Sequence, residues 1–374
     1  MLAYFLVFLI SFVFAYIAEK HEKRKMVFII FSACAILLPS FLAGFRQSGV
    51  GTDTTVYIDS IFRYCANTNS LSSVLNVIQD SGTEPLYWLI NYVVSRFSRN
   101  LSTIYFVLEF IFVFFSYLGC RKISKKLNIK YSFCYLILML LFFNKSLNMC
   151  RQSLAMSICL FSLPYILDKK MIKFLMCMFL AFLFHKSAIL FIPLYFINCI
   201  VMSKNKISIL PKIGVILAVV LIVFLYKYAI VGLVDLNLLD SKYLNYVYRY
   251  GDDSNIKAIE IIFQTTLLFI GLLFSKSFIK RSQYNNFFVY LSVLAFSTFL
   301  IGYNARYAQR ISYYYSFCLV FLIGQLPYFV QKAKEKILVF AFIITALMVY
   351  GQLYYGKYDF DHTCPYRMEI NKNI

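Results

Sequence analysis

Stretches of apolar residues close to twenty long recur along this whole chain, and they restrict its fold more than any other feature. About twenty such residues carry an α-helix across the roughly 30 Å hydrocarbon layer of a bilayer. The runs fall near residues 1–18, 26–44, 101–119, 131–148, 152–167, 171–184, 187–202, 211–231, 258–274, 284–303, 311–330 and 336–353. Helices are the expected spans, because each hydrogen-bonds its own backbone. A β-barrel would show short alternating segments instead. Hydrophobic residues make up 61% of the chain and charged residues 14%, whereas a soluble domain is nearer half apolar and a quarter charged. The expected fold is an all-α integral membrane protein, a polytopic bundle of about twelve transmembrane helices. It forms a single transmembrane domain over residues 1–374. Residues 1–16 read as the first span rather than a signal peptide, since they lack a basic start and a small-residue cleavage site. The run 171–184 is short enough to be tilted or partly interfacial, and "PLYWLINYVVSRF" (85–97) suits a re-entrant or surface helix.

Basic residues in short loops set the orientation of such a protein. The lysine-rich loops are 19–25, 120–130, 168–173, 203–212, 275–283 and 331–336, every second loop of the twelve-span arrangement. Placing them in the cytoplasm puts both termini outside. Residues 45–100 then form the largest outer segment and 232–257 the second. The net charge of +20 follows from this topology and gives no reason to expect nucleic acid. The ten cysteines are scattered, mostly in apolar runs, with no CxxC pair or metal-like Cys/His grouping.

The outer segments are basic through arginine: Arg46, Arg63, Arg96, Arg99, Arg151, Arg249, Arg306, Arg310 and Arg367. The positive-inside rule explains the inner lysines and not these residues. Arginine's planar fork suits phosphate or carboxylate. Two readings stand side by side. These arginines meet ordinary lipid headgroups or internal carboxylates, or they line an outward-facing site for an anionic, lipid-linked phosphate.

Four outer segments carry residues suited to chemistry. "GFRQSGVGTDTTVY" holds Arg46, Gly51, Asp53 and Tyr57. Glycines let backbone N–H groups approach a ligand, although Asp53 would equally serve as a helix cap. "NKSLNMCRQSLAMS" places Arg151 and Gln152 at the start of a run, where a helix N-terminus favours anions. Anchoring of the span at the interface is the plainer reading of Arg151. "FLFHKSAILFIP" sets His185 beside Lys186 and Ser187 at a run boundary. Histidine carries protons near neutral pH, and an interfacial histidine bound to backbone is the alternative. "GYNARYAQRISYYY" spaces Arg306 and Arg310 four apart among Tyr303, Tyr307 and Tyr314, which suits a diphosphate beside a sugar ring or simple aromatic anchoring. No Walker loop, dinucleotide fingerprint, HExxH or G-x-S-x-G occurs. The outer loops between spans contain no DxD pair (the one such spacing, Asp359 and Asp361, lies in the C-terminal tail), which leaves metal-assisted use of a sugar nucleotide with little support.

The order of the pieces "FRQSGVGTDTTVY", "GTEPLYWLINYV", "MCRQSLAMSICLFS", "FHKSAILFIPLYF" and "ARYAQRISYYY" resembles the EpsG family of bacterial polysaccharide polymerases, related in role to the Wzy polymerases. The matching positions are Arg46, Gly51, Asp53, Glu84, Arg151, Gln152, His185, Ser187 and Arg306, with Arg310 an alternative for the last slot. The resemblance implies a GT-C-like helical fold, similar to membrane glycosyltransferases with lipid-linked donors. It implies glycosyl transfer between undecaprenyl-diphosphate-linked oligosaccharide repeat units on the outer face of the bacterial plasma membrane. No cofactor or metal is expected. The implied partners are that lipid-linked oligosaccharide, membrane lipids, and a chain-length regulator and flippase of the same pathway.

On this reading Arg151, Arg306 and Arg310, with Arg46 in support, face the leaving diphosphate. His185, Asp53 and Glu84 are the candidates for the base that meets the attacking hydroxyl. Gly51, Tyr57, Gln152, Ser187 and Tyr307 position substrate. A lipid-linked oligosaccharide flippase is the rival class, but it should carry charges along its spans, and here Glu109 is the clearest such residue. A glycan ligase would share the diphosphate chemistry and differ in acceptor.

Overall fold

A computed structural model describes residues 1–81, 83–202, 221, 225, 228, 230–236, 244, 258–303 and 309–369. Among them every named element is helical, and one isolated antiparallel bridge joins Arg46 and Met368. The chain divides into two compact units. One comprises residues 1–165, 170–189 and 326–374, and the other residues 166–169 and 190–325.

The first unit begins with α1 (Leu2–Lys20) and α2 (Lys25–Gly44). Three shorter helices follow: α3 (Ser60–Asn67), α4 (Leu71–Ser81) and α5 (Pro85–Phe97). Then come α6 (Leu101–Leu127), α7 (Tyr131–Asn148), α8 (Cys150–Leu167) and α9 (Met171–Phe184). Asn100 starts α6 by accepting the Ser102 N–H at 2.8 Å, and Asn128 stops it in the left-handed region at φ 51°. Such caps satisfy end groups that the helix itself cannot.

All 18 residues of α7 are buried. Helices α1, α6 and Ala333–Gly351 pack around it, and α2 lies against α1 and α6. At about 1.5 Å per residue α7 is about 27 Å long, so its surroundings are protein along its whole length. At its start, Glu19 of α1 accepts from the Tyr131 N–H at 2.8 Å and the Ser132 hydroxyl at 2.6 Å. Glu22 pairs nearby with Arg121 and Lys125. At its other end, Asn144, Lys145 and Asn148 meet the opening segment and the C-terminal tail, and the Ser146 hydroxyl donates to Glu109 of α6 at 2.7 Å. The polar networks of α7 thus gather at its two ends.

Among the described residues, five helices are long and apolar enough to cross a membrane, or six if the bent pair Ala258–Leu273 and Ser275–Arg281 is one span. They match the expected runs at 1–18, 26–44, 101–119, 152–167 and 336–353. The run 171–184 forms a helix of 14 residues, and 284–303 gives Asn285–Leu300 with a 3₁₀ turn. The run 187–202 divides into a 3₁₀ turn and Pro193–Val201, where the proline opens a new helix. The run 311–330 breaks into four short α and 3₁₀ pieces. Most of the run 211–231 lies outside the described residues. The stretch 85–97 forms one helix with those bounds.

Among its described residues, the segment 45–100 is largely helical. After the turn at 45–51, a π-helix (Thr54–Asp59) leads into α3, and α5 packs on α3, α4 and α9. In the second unit, Asn285–Leu300 packs on Ala258–Leu273, Pro193–Val201 and Arg310–Ser316. Its interior holds paired polar groups: Tyr313 on Glu260, Ser316 on Gln264, and a reciprocal amide pair between Asn285 and Gln325.

Candidate active site

Glu84 is the centre of the site, and its neighbour explains its position. Proline confines the residue before it to extended backbone, and Glu84 has φ −74° and ψ 118°. Pro85 then opens α5, where a missing N–H is tolerated. The carboxylate is thereby held at a helix N-terminus, which favours negative charge, and the residue is only 6% exposed.

Its two oxygens have different partners. Oε2 accepts a hydrogen bond from Nη1 of Arg151 at 2.7 Å, and Oε1 lies 2.8 Å from Nδ1 of His185. Burial opposes ionisation of Glu84. The His185 hydrogen bond and the Arg151 charge outweigh it and bring the carboxyl down to about 2.

Arg151 is the second residue of α8. Helix α7 ends at Asn148, Met149 leaves helical backbone (φ −90°, ψ 54°), and Cys150 restarts the helix. The guanidinium lies 4.4 Å over the ring of Tyr57 and 5.9 Å from that of Tyr87. His185 closes α9. Its extended backbone (φ −160°, ψ 120°) turns it off the helix, while its N–H still donates to Ala181 O at 3.0 Å.

The side chains of Arg151 and His185 are 20% and 28% exposed, against 8% for Glu84. The two flanking groups reach the surface and the carboxylate between them does not. An ionised carboxylate only accepts hydrogen bonds, so Nδ1 of His185 must donate to it. In the neutral ring this leaves Nε2 as the acceptor, able to take a proton. Arginine has five N–H donors, and Glu84 takes one from Nη1. The arrangement thus offers a proton acceptor and a fixed cation, bridged by a buried carboxylate.

The structure brings together Glu84, Arg151, His185 and Tyr57 from the expected set. Gln152 is buried beside Arg151, and Ser187 sits in the 3₁₀ turn after His185. The other expected residues of the opening segment take different surroundings. The Asp53 N–H donates to Asn148 Oδ1 at 3.1 Å as the π-helix begins. Gly51 has φ +90°, donates its N–H to His362 O at 2.7 Å, and lies so close to α7 that a Cβ would stand 2.5 Å from Leu147 O. Only glycine fits both conditions. Arg46 is 2% exposed, lies 4.5 Å over Tyr105, and is paired with Met368 in the isolated bridge. Arg310 begins Arg310–Ser316 in the second unit, and Arg306 and Tyr307 lie outside the described residues.

Sequence reasoning did not single out Asn148 or Tyr87. The clustered polar residues of "NKSLN" at the end of a long apolar run are the signal that could have found Asn148. Among the described residues, no group of three or more His, Cys, Asp or Glu side chains gathers as metal ligands would.

No curated protein and no solved structure matches the chain. The sequence profile of the EpsG family matches residues 29–368, a stretch that contains Glu84, Arg151, His185 and Tyr57. With that match over almost its whole length, the chain belongs to the EpsG family.

Proposed function

We propose that this protein joins oligosaccharide repeat units carried on undecaprenyl diphosphate, at the outer face of the bacterial plasma membrane. Membership of the EpsG family suggests a polysaccharide polymerase role in general terms. The observation that carries the finer reading is the Glu84 carboxylate held between Arg151 at 2.7 Å and His185 at 2.8 Å.

In this reaction a sugar hydroxyl of one unit attacks the anomeric carbon of the other. Its proton passes to Nε2 of His185 as the new C–O bond forms. The bond from the anomeric carbon to the lipid diphosphate breaks, and its electron pair leaves with the diphosphate. Arg151 faces that developing charge, a fixed cation that needs no reorganisation. Glu84 does not take the proton. It holds the tautomer of His185 and offsets the imidazolium that forms, while the Tyr57 ring fixes the plane of the guanidinium. Protonation at His185 and charge build-up at Arg151 therefore occur on either side of one carboxylate.

The test is reconstitution of the purified protein with its undecaprenyl-diphosphate oligosaccharide and no nucleotide. A product ladder spaced by one repeat, with lipid diphosphate released, is expected. Substrate that crosses a liposome bilayer unchanged would overturn the reaction in favour of transport. Release of lipid diphosphate with glycan moved only to a different acceptor would make the protein a ligase.

A further inference from the structure

Asn148 is the last residue of α7 and is 4% exposed. Its amide joins three parts of the first unit. Oδ1 accepts from the Thr52 hydroxyl at 2.6 Å and from the Asp53 N–H at 3.1 Å. Nδ2 donates to Asp361 Oδ1 at 3.0 Å. A backbone N–H can only donate, so the amide oxygen must face Asp53 and the nitrogen must face the tail.

These ties lead directly to the candidate site. Thr52 and Asp53 begin the segment whose π-helix carries Tyr57 under the Arg151 guanidinium. Arg151 is three residues beyond Asn148 on the other side of the Met149 break. Further bonds dock the tail around the same point. Asn144 Nδ2 donates to Thr363 Oγ1 at 3.0 Å, Lys145 Nζ donates to the Tyr354 hydroxyl at 2.8 Å and lies 3.9 Å from Asp361, and the Gly51 N–H donates to His362 O at 2.7 Å. The Tyr57 ring and the Arg151 helix are therefore both referred to one side chain, which the tail holds from the opposite side.

We propose that Asn148 is a positioning residue of the candidate site, and that the tail, through Asp361, belongs to the frame that keeps Tyr57 and Arg151 in register. The role rests on the polymerase reading given above. Asn148 touches no reacting atom on this account and acts through Tyr57 and Arg151. Loss of register should lower turnover, since Arg151 acts on charge that develops in the transition state.

A charge-neutral exchange tests this. Asn148→Asp places two carboxylates face to face and repels the tail. Adding Asp361→Asn restores one amide and one carboxylate across the same contact. The single variant should lose about tenfold in rate at saturating substrate, with KM changed by less than about twofold. The double variant should recover to within about threefold of the wild type. A single variant within about twofold of wild type, or a double variant no better than the single, would overturn the proposal. If Asn148→Asp does not accumulate, Asp361→Ala serves the same end: a loss of about fivefold in turnover supports the frame, and unchanged turnover overturns it.

A readout without activity separates this inference from the reaction itself. A cysteine introduced by Tyr57→Cys is labelled with a water-soluble maleimide and quantified at position 57 by mass spectrometry. Labelling should speed up several-fold on adding Asn148→Asp and return with the exchange. Unchanged labelling would overturn the frame even if the wild type polymerises. Coupled labelling in a protein that makes no polymer would uphold the frame and sink the polymerase reading.

Discussion

Arg46 and Arg151 each rest on a tyrosine ring, at 4.5 Å over Tyr105 and 4.4 Å over Tyr57, and both belong to segments read as outward-facing. What covers the rest of each guanidinium differs. Arg46 is enclosed. The chain beside it is tied to the tail through the Gln47 N–H to Arg367 O at 2.7 Å and the Glu369 N–H to Phe45 O at 2.8 Å. Tyr105 beneath it is bound to Asp59. Arg151 has one carboxylate, two aromatic rings and an opening to the surface. Arginine stacked on tyrosine is therefore no guide to role. A closed surround makes the residue part of the frame, and an open one leaves it able to meet a ligand.

Removing each arginine should break the molecule in different ways. Arg151→Ala should abolish the polymer, a loss of at least about a hundredfold in turnover, with a smaller loss of stability than Arg46→Ala, because Glu84 keeps His185 as a partner. Arg46→Ala should do the reverse. It leaves polar groups of a sealed region without their cation, a destabilisation of about 3 kcal/mol or more, seen as a lower unfolding temperature in detergent. A stable Arg46→Ala protein without activity would place Arg46 in the chemistry and end the contrast.

Gly51→Ala sharpens the same comparison from the sealed side. A Cβ at φ +90°, 2.5 Å from Leu147 O, should destabilise the protein by about 1–3 kcal/mol. The readout is thermal unfolding, with the rate per folded molecule unchanged to within about twofold.

The smallest effect is a pH dependence on the open side. The Glu84 carboxyl is lowered from 4.5 to about 2. Its contribution to stability is therefore complete above 4.5 and disappears as the pH falls through about 2. The stability gap between wild type and Glu84→Gln should be flat above 4.5 and close as the pH drops towards about 2. A gap that stays constant through that range would show that the charge of Glu84 contributes nothing.

Much of the first unit is legible in the order of residues. Apolar runs gave α1, α2, α6, α7, α8 and α9; Arg151 and His185 stood out by residue type beside a run boundary, and Glu84 entered through the family resemblance. Their meeting did not stand out, because the partners lie 67 and 101 residues apart and local periodicity carries no such information. Asp53 and Glu84 looked alike as carboxylates in one outer segment. Pro85 is what distinguishes Glu84, by fixing its backbone and starting a helix behind it. The helical character of 45–100 was masked by its short amphipathic pieces, which bury only one face each. The tail gave least notice. Asp361 and Thr363 are unremarkable as sequence, and only the polar end of α7 gives them a role.

The Tyr4 hydroxyl donates to Thr363 O at 2.8 Å across 359 positions of chain. A ribosome adding about 5–20 residues per second needs roughly 20–70 s to cover that separation. The sealed end therefore cannot close before the tail has been made. Until Thr363 arrives, the first helix waits with its tyrosine unmatched, and the Gly51 turn waits with it.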